Sequence, residues 1–552
     1  MLTCHQEVMK LTKQLVQTLS VVNTTGEKKI ALQIKELLAR LSYFQENPSH
    51  LVLQRTEADE QERYNVLALV KGRKKQSKKT VILLGHLDTV GIDDFHHLRE
   101  LACHPDSLMT ELKKEASPPL IQEHLNSDAW LFGRGVLDMK AGLASHLYLI
   151  QYFSEHPEEL EGNLVLIAEC DEEDGSHGIL TALKGLRQWK KEHHLDYVAA
   201  INADFVSPRS ENDPKRYIYK GTVGKLLPSF YITGAETHVG SCFEGIDPNF
   251  LAAELTKQIS YNPELCNEAY GETTVPPVAL KQTDLKPTYT VQTALAAYVY
   301  YNFFIHSWSP KDVLEKLSHQ AELAFSHALE AYKSRYQSYC QLSGETYREI
   351  PWKPNVMTYE EMERSLIAEH GEKYLVHMTH FKNELLNDTS LDTRMFAARV
   401  VEEAFQWMPD KRPTMILFYS SLYSPRIEVV GQTEQEQKLI DSLDEAVAAL
   451  QPEYPHPIVI RNYFPYISDM SFVSLSDDEE GIHAVIANNP GWGTKHYVEY
   501  QDVRELNVPV INIGPYGHDA HKKYERAEIK YSFEMVPNLT YQVIKNLLQK
   551  YS

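Results

Sequence analysis

The chain has few cysteines, no long apolar run and a shortage of positive charge, and each lack closes off a class of function. Six cysteines are scattered over 552 residues with no CxxC pair. This argues for reduced thiols over a disulfide framework, and against a cysteine-ligated zinc. No stretch approaches the eighteen or so consecutive apolar residues that a membrane span requires. The N-terminal MLTCHQEVMKLTKQLVQTL reads as an amphipathic helix without the apolar core or cleavage site of a signal peptide. A cytoplasmic protein is therefore expected. Lysine and arginine number 55 against 76 acids, a formal net charge of −21, which excludes a nucleic-acid partner. One basic stretch, KGRKKQSKK at 71–79, lies between apolar segments and is expected to be a solvated hairpin loop. There is no internal repeat and no low-complexity tract.

What is present is an ordinary balance of 43% hydrophobic and 24% charged residues, on a chain too long for one core. YNVLALV, TVILLGHLDTV, NLVLIAE and DYVAAINADF read as buried strands. KAGLASHLYLIQYFSE and GILTALKGLRQWKKEH between them carry helical spacing. The alternation predicts an α/β catalytic domain with a central, mostly parallel sheet flanked by helices, and ligand sites at the strands' carboxyl ends. From about residue 216 the texture changes. YIYKGTVGKLLPSFYITG suggests a hairpin-like pair of strands, and PKDVLEKLSHQAELAFSHALEAYKSRY a long helix opened by Pro310. The expected organisation is a first catalytic part over 1–215, an inserted α+β lid or dimerisation domain over 216–358, and a second catalytic part over 359–552 with helical segments.

Five positions carry the chemistry. In GHLDTV, His86 and Asp88 point to one side of a strand end. His86 is either a structural histidine or a metal ligand that Asp88 orients. In GRGVLDMKAG, Asp138 either caps the following helix or bridges two cations. In AECDEEDGSHG, four acids follow an apolar strand. Their repulsion invites a divalent cation, and adjacent Glu172 and Glu173 could divide proton handling and metal binding between them. Asp204 ends another strand, and His521 lies in GPYGHDAHKKYE with His518 as its rival. Jointly, two histidines and three carboxylates after strands are the ligand set of a hydrolytic two-metal centre.

The order HxD, GxxDMKAG, DEExGSxG, strand-end acid and AHxxxE resembles the zinc aminoacylase and carboxypeptidase family. That family includes carboxypeptidase G2 and succinyl-diaminopimelate desuccinylase. The length, the DFHH segment and PYISDMSF at 465–472 look closest to its arginine-utilisation, RocB-like branch. The resemblance implies two Zn²⁺ ions, with Co²⁺ or Mn²⁺ as substitutes. His86 and Asp204 would complete one site, Glu173 and His521 the other, and Asp138 would bridge. It makes Glu172 the general base, Asp88 the orienter of His86, and His238 of TGAETHVGSCFEG an oxyanion-stabilising histidine reaching a neighbouring copy; a surface histidine is the plain alternative. The chain departs from the family where proline is usual four residues after that histidine, since Cys242 stands there. The implied function is hydrolysis of an amide bond in a small-molecule substrate, a short peptide or an N-acyl amino acid that could contain arginine. A homodimer is implied. The competing reading is a family member that has lost catalysis and acts as a binding protein.

Overall fold

The computed structural model describes residues 1–57, 59 and 61–552. Its chain forms two compact units: Met1–Thr222 with Ile427–Leu475 and Glu499–Ser552, and Val223–Arg426 with Ser476–Val498.

The first unit is built on a nine-stranded sheet. Its strands are β1 (Leu51–Arg55), β2 (Tyr64–Lys71), β3 (Lys79–His86), β4 (Asn163–Glu169), β5 (Asp196–Asn202), β6 (Arg216–Thr222), β7 (Ile427–Glu428), β8 (Ile458–Arg461) and β9 (Val510–Asn512). They run in the order β1-β2-β4-β3-β5-β9-β6-β7, with β8 also beside β6. The centre, β4-β3-β5-β9, is parallel. Beyond it, β1, β2 and β7 pair antiparallel, as does β9 with β6, so the sheet is mixed rather than parallel throughout. The parallel strands are the continuously apolar segments, buried along nearly their whole length. Helices Ala141–Glu155 and His177–Glu192 pack on this sheet. The start of the first of these lies tight against the chain leaving β5. A Cβ at Gly142 would sit 1.9 Å from the Ala203 carbonyl oxygen, so only glycine permits this approach.

Segment 71–79 is solvated but does not close a hairpin, because β4 lies between β2 and β3. Strand adjacency is set by the buried faces of distant segments, which local polarity does not encode.

The second unit carries a six-stranded sheet in the order Val278–Asp284, Ala296–Ile305, Pro228–Thr233, Met415–Tyr419, Val356–Thr358, with Gly224–Leu226 beside Ala296–Ile305. The expected hairpin over YIYKGTVGKLLPSFYITG is therefore divided: β6 belongs to the first sheet and Pro228–Thr233 to the second. The unit also continues past residue 358. Met415–Tyr419 pairs with Pro228–Thr233, and helices Tyr359–His370, Glu372–Leu385 and Thr393–Gln406 share its core with Tyr231, Tyr298 and Phe418. The long helix runs Pro310–Ser343, opened by a reciprocal cap between Ser309 and Asp312. Among the described residues, no helix is long and apolar enough to cross a membrane.

Candidate metal centre

The carboxyl ends of the parallel strands gather the acids of the first unit. His86 is the last residue of β3 and Glu169 the last of β4. Glu172 and Glu173 follow β4 directly, and Asp204 lies just beyond β5. Asp138 arrives from a different direction. A small three-stranded sheet of Trp130–Phe132, Arg526–Glu528 and Gly517–His518 sets the turn bearing Asp138 beside the turn bearing His521. The Asp138–Met139 peptide is cis.

His86, Asp138 and Glu173 converge, each offering a ligand atom within 4.8 Å of the others. His86 Nε2 is 3.1 Å from Asp138 Oδ1 and 3.8 Å from Glu172 Oε2. His86 Nδ1 donates to the Asp88 carbonyl at 3.1 Å, which turns Nε2 toward Asp138. His521 Nε2 lies 2.8 Å from Asp138 Oδ2 and 3.2 Å from Glu173 Oε1. The latter oxygen is buried and receives no well-aligned donor.

His518 faces away from these acids, among the rings of Trp130, His124 and Tyr516. Asp204 is buried and held by the Asn512 side chain, which binds its amide at 2.9 Å and its carbonyl at 2.8 Å. The carboxylate of Asp88 receives the amides of Glu172 at 3.3 Å and Glu173 at 3.1 Å. Its nearer oxygen is 3.7 Å from His86 Nδ1, so its main grip is on the backbone of the glutamate pair. Lys140 is buried and donates to the Thr18 carbonyl at 2.8 Å. His238 belongs to the second unit, where it is exposed; its Nδ1 accepts the Gly240 amide at 3.0 Å, leaving the proton on Nε2.

Three buried acids in or beside the centre carry no role in the sequence reading. Glu525 accepts the amides of Leu137 at 3.1 Å and Asp138 at 3.3 Å, and its other oxygen pairs with Arg134 at 2.6 Å. The AHxxxE pattern was its signal. Asp469, within the PYISDMSF segment, and Glu169 are buried, each with one unpartnered oxygen.

So many buried carboxylates distort one another's titration. Burial pushes Asp88 up to about 6, and burial with repulsion from Asp138 pushes Asp204 up to about 7. Burial and neighbouring acids drive Glu172, Glu169 and Asp469 well above the usual carboxylate range. His86 is held well above its ordinary value against burial, by Glu172, Asp138 and Asp88. Contacts with Asp138 and Glu173 likewise outweigh burial at His521 and push it up to about 10. These shifts mark a surplus of buried negative charge around the two imidazoles. Divalent cations among mixed imidazole and carboxylate donors offset such a surplus, so these residues fit a metal.

Residues 101–508 match the model of Peptidase family M20/M25/M40. The chain belongs to this family. As a member of the peptidase family it is a metal-dependent hydrolase of amide bonds. His86, Asp88, His521 and Glu525 fall outside the matched span, but a likeness to Protein RocB of Bacillus subtilis (strain 168) covers almost everything. The identity is 37% over 547 residues, 99% of this chain and 96% of that protein. Among solved structures, a tripeptidase from Staphylococcus aureus subsp. aureus mu50 aligns with a TM-score of 0.52 at 14% identity, covering 99% of each chain. The Bacillus subtilis YXEP protein, described as a dinuclear metal binding peptidase of this family, aligns at 0.50 with 11% identity over 99% of this chain and 98% of that one. At such identities the two structures establish the fold alone.

Proposed function

We propose that the chain is a two-zinc hydrolase of a small amide substrate, a short peptide or an N-acyl amino acid, with Glu172 as its general base. The convergence of His86, Asp138 and Glu173 beside the Glu172 carboxylate carries this reading. His86 and Asp204 would hold one ion, Glu173 and His521 the other, and Asp138 would serve both. Bound divalent cations polarise an amide carbonyl and acidify water. Glu172 takes the proton of the attacking water and returns it to the departing amine. Asp88 fixes the backbone of Glu172 and Glu173, and Glu525 does the same for Asp138. His238, with its proton on Nε2, is a donor suited to the tetrahedral oxyanion, contributed by a second copy in a homodimer. The likeness to Protein RocB makes arginine-containing amides the first substrates to assay.

The deciding variant is Glu172→Gln, purified without chelator. It is expected to keep its metal and to lose turnover by about 10²–10⁴-fold. Metal-loaded protein with full activity would remove Glu172 from this role, and wild-type protein free of zinc, cobalt and manganese would overturn the centre itself. Mixing inactive Glu172→Gln and His238→Ala chains restores activity only where the histidine acts across copies. Equal turnover of arginine-containing and arginine-free amides would remove the arginine preference.

A further inference from the structure

Only the middle two of the four consecutive acids, Glu172 and Glu173, face the metal centre; the outer two are tied down elsewhere. Asp171 Oδ1 accepts from Arg63 Nη1 at 2.5 Å, and its Oδ2 accepts from the His177 ring at 2.5 Å and the His177 amide at 3.1 Å. Asp174 accepts from the Asn23 side chain at 2.9 Å, and the Asn23 oxygen in turn accepts from Arg63 Nη1 at 3.1 Å. Glu27 joins the same group, accepting the Asp171 amide at 3.0 Å and the Asn23 amide at 2.8 Å, with its Oε2 3.5 Å from Arg63. Arg63 itself is 3% exposed and is gripped by both oxygens of Asp59 at 2.8 Å. One guanidinium therefore serves three carboxylates and an amide, a task for its planar, multi-donor geometry.

The segment so held is not a relaxed one. Asp171 has φ of +65° and Ser176 φ of +57°, left-handed conformations that non-glycine residues adopt only where the surroundings enforce them. Asp88 grips the glutamate amides from one direction, and the Arg63 group fixes both ends of the loop.

We propose that Arg63 is a positioning residue: through Asp171 and Asn23 it holds the loop that presents Glu172 and Glu173. What that pair does when presented rests on the function proposed above; the tether does not.

The test compares full-length wild type with Arg63→Met and Arg63→Lys. Three quantities are read: hydrogen exchange of peptides spanning 170–176, zinc affinity by chelator competition, and kcat and KM. Arg63→Met is expected to speed exchange in that segment by about tenfold or more, with distant strands unchanged. Zinc affinity and kcat should each fall by about 10–100-fold, with KM within about twofold. Arg63→Lys should recover part of both, since one amine can meet Asp171 or Asp59 but not span them. Exchange, affinity and kcat all at wild-type values in folded Arg63→Met would overturn the proposal. Where that variant fails to fold, Arg63→Lys and Asn23→Ala decide by the same readings. A loosened loop in a protein that binds no metal upholds the tether and overturns the proposed function, so the two ideas fail separately.

Discussion

The two units solve folding differently. The core cluster of the second joins Tyr231, Tyr298, Phe396 and Phe418 with aliphatic residues, an interior held by area and shape. The interior of the first, behind its apolar strands, holds charge: Arg63, Arg134, Asp138, Glu169, Asp171 and Glu525 are all buried. Buried charge contributes little net stability even when paired, but it fixes geometry. The first unit accepts that cost where the candidate metal centre lies, while the main cluster of the second is built of apolar and aromatic side chains.

Three measurements would break or sharpen this contrast. The largest effect is expected from Glu525→Ala, which leaves Arg134 with Asp94 as its one carboxylate partner and frees the Leu137 and Asp138 amides. Denaturant unfolding should show a loss of about 3–5 kcal/mol, accompanied by weaker zinc binding. Unchanged zinc affinity would show that Glu525 does not position Asp138. Phe396→Ala, in the core of the second unit, should cost a similar about 3–5 kcal/mol from packing alone, with zinc affinity per folded molecule unchanged. Metal loss there would mean the two interiors are not independent.

The smallest is a pH effect at His146, fully buried in helix Ala141–Glu155, where burial lowers its pKa to about 3. A histidine depressed in the fold contributes stability that is present above about 6.5, its unfolded value, and is lost as pH falls toward 3. Between pH 7 and pH 5 this amounts to about 2 kcal/mol. His146→Leu should flatten the acid side of the stability curve by that amount, and an identical slope in both proteins would refute the assignment.

The parallel core and the acid-rich strand ends were legible because both are local: apolar runs make buried strands, and the chemistry follows them directly. Long-range adjacency was not. Nothing between 71 and 79 announces that β4 intrudes between its neighbours, and nothing in residues 359–426 announces that they close the second sheet. The choice between His518 and His521 turns on left-handed residues at Asp519 and His521, with φ of +58° and +65°. Spacing of three cannot reveal that turn, nor the packing of His518 against Trp130. Arg63 stands in no motif, and only the folded chain shows how many carboxylates meet it.

The scattered thiols offer an experimental foothold. Cys242 is exposed, whereas Cys4, Cys103, Cys170 and Cys340 are buried. Burial also pushes the Cys4 thiol up to about 11 and Cys170 well above its usual range, suppressing the reactive thiolate. A maleimide dye should therefore react first at Cys242, four residues from His238, with no engineered substitution. Its emission would then report on that surface as substrate analogues are added.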